Sequence, residues 1–147
     1  GEPAVDPVLL SRATIATAHI AGYSADGKAT ASKMMYDALC AHFGWEKSWE
    51  PGDALTGPER RLTGPEVGGG ESEETLRRIV RSAYPIMRDD AALREVAGMA
   101  PGERSGHFIR LRNDYPFRRE FHATSVVRSM SPSFPGKELA AIGFRLV

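Results

Sequence analysis

Two side chains near the start of the sequence have types and settings suited to moving a proton. Glu2 stands between Gly1 and Pro3 in a stretch with no helix or strand signal. His19 follows the short β-branched run Thr14-Ile15-Ala16-Thr17, which predicts a strand leading into a helix. In open α/β sheets, ligands and catalytic groups gather in the crevice beyond the strand C-termini. A carboxylate beside an imidazole fixes the ring tautomer and stabilises the protonated ring, which makes a general acid/base unit. Residue type alone leaves the alternative open, since a single histidine after a strand more often serves structure than catalysis.

Other groupings compete with this pair. Gly22 to Ala29 nearly matches the phosphate-binding pattern GxxxxGK[ST] and sits between the expected strand and helix. Ala29 stands where a magnesium-holding hydroxyl is needed, and Thr30 comes one place late. Arg110, Arg112, Arg118 and Arg119 interleave with Phe108, Tyr115 and Phe117, a pattern that suits nucleic acid. Asp114, Glu120 and a formal net charge of zero favour ion pairing instead. His42, His107 and His122 have no ligand spacing between them, so no metal is assigned. Cys40, the single cysteine, reads as a packed small residue, and one cysteine excludes an internal disulfide.

The elements that must position these residues follow from caps and periodicity. Asp6-Pro7 starts a short helix, and Ser24 caps a long one running to about Phe43 and closed by Gly44. Met34, Met35, Leu39 and Phe43 share its apolar face, and the methionine pair reads as core. Trp49 to Gly70 is rich in proline and glycine, unfit for a helix or central strand, and marks a boundary. Ser72 is the expected cap of a helix with Leu76, Ile79, Val80 and Ala83 inward, ended by Pro85. Asp89 or Asp90 is the expected cap of the next, with Leu93, Val96 and Ala97 inward and Gly98 at its end. A helix over 107–113, a strand over 120–127, a helix over 136–142 and a strand over 144–147 complete the reading. The fold class is α/β: a strand, loop and long helix, then a small domain with a short sheet packed by helices.

The chain has 147 residues, 41% hydrophobic and 26% charged, an ordinary globular composition. Zero net charge supplies no field toward nucleic acid or membrane, and no apolar run is long enough to cross a bilayer. Gly1-Glu2-Pro3 opens with no methionine and no element of its own, so the sequence reads as a fragment whose N-terminal part is missing.

Glu2-Pro3, then His19-Ile20-Ala21-Gly22-Tyr23-Ser24 and Gly27-Lys28, resemble the corresponding stretch of D-2-hydroxyacid dehydrogenases. The 17-position separation of Glu2 and His19 is short for that superfamily and similar to its erythronate-4-phosphate dehydrogenase branch. Arg88 to Arg94, Leu111 to Pro116, Arg118-Arg119-Glu120 and Glu138 to Gly143 resemble that branch as well. Ala25-Asp26 departs from the hydrophobic-acidic pair expected before Gly27. The resemblance implies that residues 1–46 end a Rossmann-type NAD-binding domain, 47–70 form a linker, and 71–147 form a dimerisation domain. It implies catalytic roles for Glu2 and His19, contact of Gly22 with NAD, and contact of Tyr23 with substrate. The implied parent is a cytoplasmic homodimer that oxidises 4-phospho-D-erythronate in vitamin B6 biosynthesis. The catalytic arginine, glycine-rich nucleotide loop and lid of such enzymes have no counterpart in this chain. The competing reading is a stand-alone self-association domain without catalysis.

Overall fold

The structure is a computed structural model that describes residues 1–55, 60–67 and 70–147. Its helices are α1 (Pro7–Arg12), α2 (Ala25–Phe43), α3 (Gly64–Val67), α4 (Ser72–Ala83), α5 (Ile86–Arg94), α6 (Pro101–Asn113) and α7 (Gly136–Ala141). Its strands are β1 (Arg60–Leu62), β2 (Thr124–Val126) and β3 (Arg145–Leu146). The chain divides into two compact units, each made of two segments: Gly1–Ala21 with Tyr84–Pro116, and Gly22–Ala83 with Phe117–Val147. No helix of the described residues is long and apolar enough to cross a membrane.

The first unit is helical. The Asp6 side chain accepts from the Val8 N–H at 2.8 Å, and Pro7 occupies the first turn of α1, as its sequence predicts. Leu10, Ala18, Leu93, Val96 and Phe108 form its core, with Val5, Ala16 and Leu111 against them. The strand expected at Thr14–Thr17 is not formed. The Ala16 N–H, which a ladder would use, donates to Asp90 Oδ1 at 2.8 Å. Neither Asp89 nor Asp90 caps α5, which starts at Ile86 behind Pro85. Helix α6 begins earlier than expected, with Pro101 in its first turn and Glu103 reaching back to the Ala100 N–H.

The second unit holds the sheet, parallel throughout in the order β1-β2-β3. Leu62, Val126 and Leu146 lie in register across it and face a core shared with Val67, Ile79, Leu139 and Phe144. Leu76, Val80 and Ala83 add the rest of the stripe that the sequence assigns to α4. That helix includes Ser72 rather than being capped by it, since Thr75 N–H already bonds the Glu71 carbonyl. The expected strand 120–127 shrinks to β2, preceded by a 3-10 turn at Phe121–Ala123. All three β2 residues are buried, as in central parallel strands. Strand β1 lies inside the segment read as a linker, where a three-residue edge strand survives between breakers. Of those breakers, Gly57, Pro58, Gly68 and Gly69 lie outside the described residues.

Helix α2 follows its sequence signals at both ends. Ser24 Oγ accepts from the Gly27 N–H at 2.9 Å, and Gly44 ends it in the left-handed region at φ 67°. Its apolar face does not. Met34 is 68% exposed and Met35 66%, with Leu39 and Phe43 also exposed, so the methionine pair is not core within its unit. Only Cys40 and Asp26 are buried on this helix. Residues 45–50 return along its polar side: Lys33 bridges Asp37 at 2.7 Å and Glu50 at 3.1 Å, and Tyr36 Oη accepts from the Ser48 N–H.

Candidate active site and its anchors

Ala18 and Ile20 are each buried, and His19 between them projects outward with a 60% exposed side chain. Its φ of 55° is left-handed, a conformation costing a non-glycine residue about 1–2 kcal/mol. His19 Nδ1 meets Glu2 Oε2 at 2.6 Å, the distance of a charge-assisted hydrogen bond. The Glu2–Pro3 peptide is cis. With Nδ1–H donated to the carboxylate, the Nε2 lone pair is the one available to take a proton. The two residues singled out by type and by resemblance are thus brought together.

What holds this loop is an ion pair on α5. Arg94 Nε binds Asp90 Oδ2 at 2.8 Å, and its two terminal nitrogens donate to the carbonyls of Leu10 (3.0 Å) and Ala13 (2.8 Å). Arg94 therefore caps the C-terminus of α1, where orphan carbonyls favour a cation. Asp90 holds Ala16 with its other oxygen. The Arg94 hydrogen bond, followed by that from Ala16, keeps the Asp90 carboxyl below the usual carboxylate range. Sequence reasoning gave Asp90 a capping role and Arg94 none. The available signal was their four-residue spacing on a helix, which permits an ion pair without revealing that both reach another segment. On the same helix, Asp89 Oδ2 accepts from Tyr84 and Tyr115 at 2.9 Å each. Burial, then that carboxylate, pushes the Tyr84 phenol up.

Gly22 and Tyr23 open the second unit. Gly22 has φ 71°, which favours glycine, and a Cβ there would meet nothing within 4 Å. That open side fits the approach of a cofactor to its backbone, although the described residues supply no further part of a dinucleotide cradle. Tyr23 lies under Lys28, whose Nζ is 4.1 Å from the ring centroid. A Cβ on Gly27 would stand 2.6 Å from the Gly22 carbonyl oxygen, so this turn admits only glycine. The amides of Ala25, Gly27 and Lys28 donate to Arg118 O, Ser24 Oγ and Ser24 O. A phosphate loop needs such amides pointing at its ligand, and here protein acceptors occupy them.

Asp26 anchors this turn. It is 5% exposed and receives Arg119 Nε at 3.0 Å, Arg119 Nη2 at 3.0 Å, the Glu120 N–H at 2.7 Å and His122 Nε2 at 3.1 Å. Burial pushes its carboxyl up. Hydrogen bonds from Arg119 and Glu120, with the charges of Arg119 and His122, outweigh that and hold it below the usual range. The arginine-rich stretch thus supplies an ion pair, with Arg118 also near Glu120 at 3.7 Å.

The model of the family described as "Domain of unknown function (DUF3410)" matches residues 58–143. The chain is 38% identical over 146 residues to the erythronate-4-phosphate dehydrogenase of Marinobacter nauticus, covering 99% of this chain and 38% of that protein. It is 35% identical over 142 residues to that of Salinibacter ruber, covering 90% and 34%. For Cronobacter sakazakii the figures are 40% over 126 residues, covering 85% and 31%. The chain thus spans between about a third and two fifths of the length of these curated relatives. The match over more than half of its residues shows that the chain belongs to the DUF3410 family, and along most of its length it is similar to erythronate-4-phosphate dehydrogenases.

Proposed function

We propose that this chain is part of an NAD-dependent dehydrogenase that oxidises 4-phospho-D-erythronate to its 2-oxo acid in vitamin B6 biosynthesis. The observation that carries this reading is the 2.6 Å contact of His19 Nδ1 with Glu2 Oε2, held outward by two buried neighbours. His19 Nε2 takes the proton of the substrate C2 hydroxyl, and Glu2 stabilises the imidazolium that forms. Gly22 lets NAD approach its backbone, and when bound NAD supplies the hydride acceptor. Tyr23 contacts the substrate, its ring backed by Lys28. The self-association module of a cytoplasmic homodimer draws on residues 71–147 together with β1, whose strand completes their sheet.

The open apolar face of α2 supports membership in a larger assembly. Met34, Met35, Leu39 and Phe43 form one stripe exposed within its unit, and such a stripe is normally covered. The rest of a nucleotide-binding sheet is the cover this reading provides.

The test is His19→Asn in the whole enzyme. Loss of a general base lowers kcat/KM by a factor on the order of 10² to 10⁴, with the fold intact by circular dichroism. A His19→Asn enzyme within threefold of wild type sinks the assignment. The 147-residue chain alone is expected to show no dehydrogenase activity.

A further inference from the structure

Glu2 and His19 reach each other from two arms of chain, and helix α5 touches both. Glu2 leads through Val5, which packs on the core of the first unit, into α1. His19 follows residues 13–18, which form no strand, so their backbone groups turn to side chains. One ion pair serves both arms. Arg94 Nη1 donates to the Leu10 carbonyl at 3.0 Å and Nη2 to the Ala13 carbonyl at 2.8 Å, which fixes the C-terminus of α1. Asp90 Oδ1 accepts from the Ala16 N–H at 2.8 Å, on the approach to His19. Arg94 Nε joins the two anchors through Asp90 Oδ2 at 2.8 Å. All of these residues lie in the first unit.

We propose that Asp90 and Arg94 are positioning residues for proton transfer: together they hold the arm bearing Glu2 and the arm bearing His19 at the separation their contact needs. The inference rests on the dehydrogenase reading of that pair. It gives α5, which lies in the segment proposed for self-association, a second role in the chemistry. Two observations carry it. His19 is left-handed at φ 55°, and a non-glycine residue stays there only where its surroundings over-determine it. The His19 N–H donates to the Thr17 carbonyl at 2.9 Å, within the same loop, so the restraint has to enter upstream, where Asp90 grips Ala16. The side chains of Glu2 and His19 are themselves 50% and 60% exposed, so their 2.6 Å contact is set by the backbones that carry them rather than by packing around it. Asp90 is buried, and its carboxylate is fixed by protein donors. The planar guanidinium serves that carboxylate and two carbonyls at once, a fork that an ammonium cannot reproduce. Misplacing a reacting group by about 1 Å costs on the order of 10²-fold in rate.

The experiment is steady-state kinetics of the whole enzyme carrying Arg94→Lys or Asp90→Asn, each alone and combined with Glu2→Gln, at a temperature where urea curves show every protein folded. Each single variant should lower kcat by about 10- to 100-fold and leave KM within about threefold of wild type. In the Glu2→Gln background the same change should lower kcat by a factor at least about threefold smaller, because the contact it positions is already gone. Either anchor variant decides the matter if the other fails to fold. An equal factor in both backgrounds marks a merely structural role and overturns the proposal. So does a raised KM with kcat unchanged, or wild-type kcat in a folded anchor variant. His19→Asn separates the two levels of inference: wild-type activity there sinks the dehydrogenase reading itself, whereas a crippled His19→Asn beside an unaffected Arg94→Lys sinks the positioning role alone.

Discussion

Asp26→Ala offers the sharpest test of how the second unit is held. The substitution removes the carboxylate that receives Arg119 through two nitrogens, and it frees the Glu120 N–H. His122 has a 60% exposed side chain, so its contact contributes little. Removing one partner of a buried ion pair costs about 3–5 kcal/mol, because the other charge is left uncompensated. Arg119 keeps the Leu55 carbonyl at 3.0 Å, which points to the lower end. A loss of about 3 kcal/mol raises the unfolded fraction roughly 100-fold. With a urea slope near 2 kcal/mol per molar, the midpoint falls by about 1.5 M. Trp45 and Trp49 both belong to this unit, so fluorescence reads its unfolding directly. The companion variant Arg119→Leu removes the stranded charge, so the double variant should be less destabilised than the two single losses added together. A midpoint shift under about 0.4 M in Asp26→Ala, or strict additivity in the double variant, refutes the argument.

Arg94→Ala should uncap α1 and release the Leu10 and Ala13 carbonyls; hydrogen exchange at Ala13 and Ala16 should speed up while that at Ile79 stays slow. Asp26 and Asp90 both have folded-state pKa values below their unfolded ones, so their stabilisation is complete above the unfolded value and lost as pH falls below about 4. Urea midpoints should therefore drop with acid in wild type, and Asp26→Ala should respond less steeply. Glu2→Gln in the whole enzyme should keep the fold and lower kcat by roughly 10- to 100-fold, less than His19→Asn, because the imidazolium loses its counter-charge but the base remains. Gly27→Ala drives a Cβ to 2.6 Å from the Gly22 carbonyl, a backbone clash expected to cost at least about 2 kcal/mol in thermal unfolding.

The parts of the fold legible in the sequence are those set by local chemistry. Asp6, Ser24 and Gly44 carry helix ends in their own side chains or backbone freedom, and the α4 stripe has unbroken helical spacing. The misread parts depend on distant partners. Thr14–Thr17 has strand composition, yet its ladder position is filled by an α5 carboxylate. Met34 and Met35 read as core because composition reports what a face prefers to touch, not whether anything in the unit reaches it. The strand expected over 120–127 is cut short by the 3-10 turn at Phe121–Ala123, which no local signal announces. At the site, the Glu2 and His19 pair followed from residue type and resemblance. The Asp90 and Arg94 anchors did not, since four-residue spacing says nothing of the carbonyls they meet.

Each compact unit is assembled from two pieces of chain separated by part of the other. During synthesis, neither can close when its first segment leaves the ribosome. Strand β1 waits for β2, more than 60 positions later, and the loop around His19 waits for α5. Such interleaving slows formation and makes contiguous truncation destructive. A recombinant piece limited to 71–147 would lack Leu62 and one border of its sheet, baring an edge able to pair with itself. Association seen with that piece would then report a damaged edge, so a fair measurement of self-association keeps Arg60–Leu62 attached.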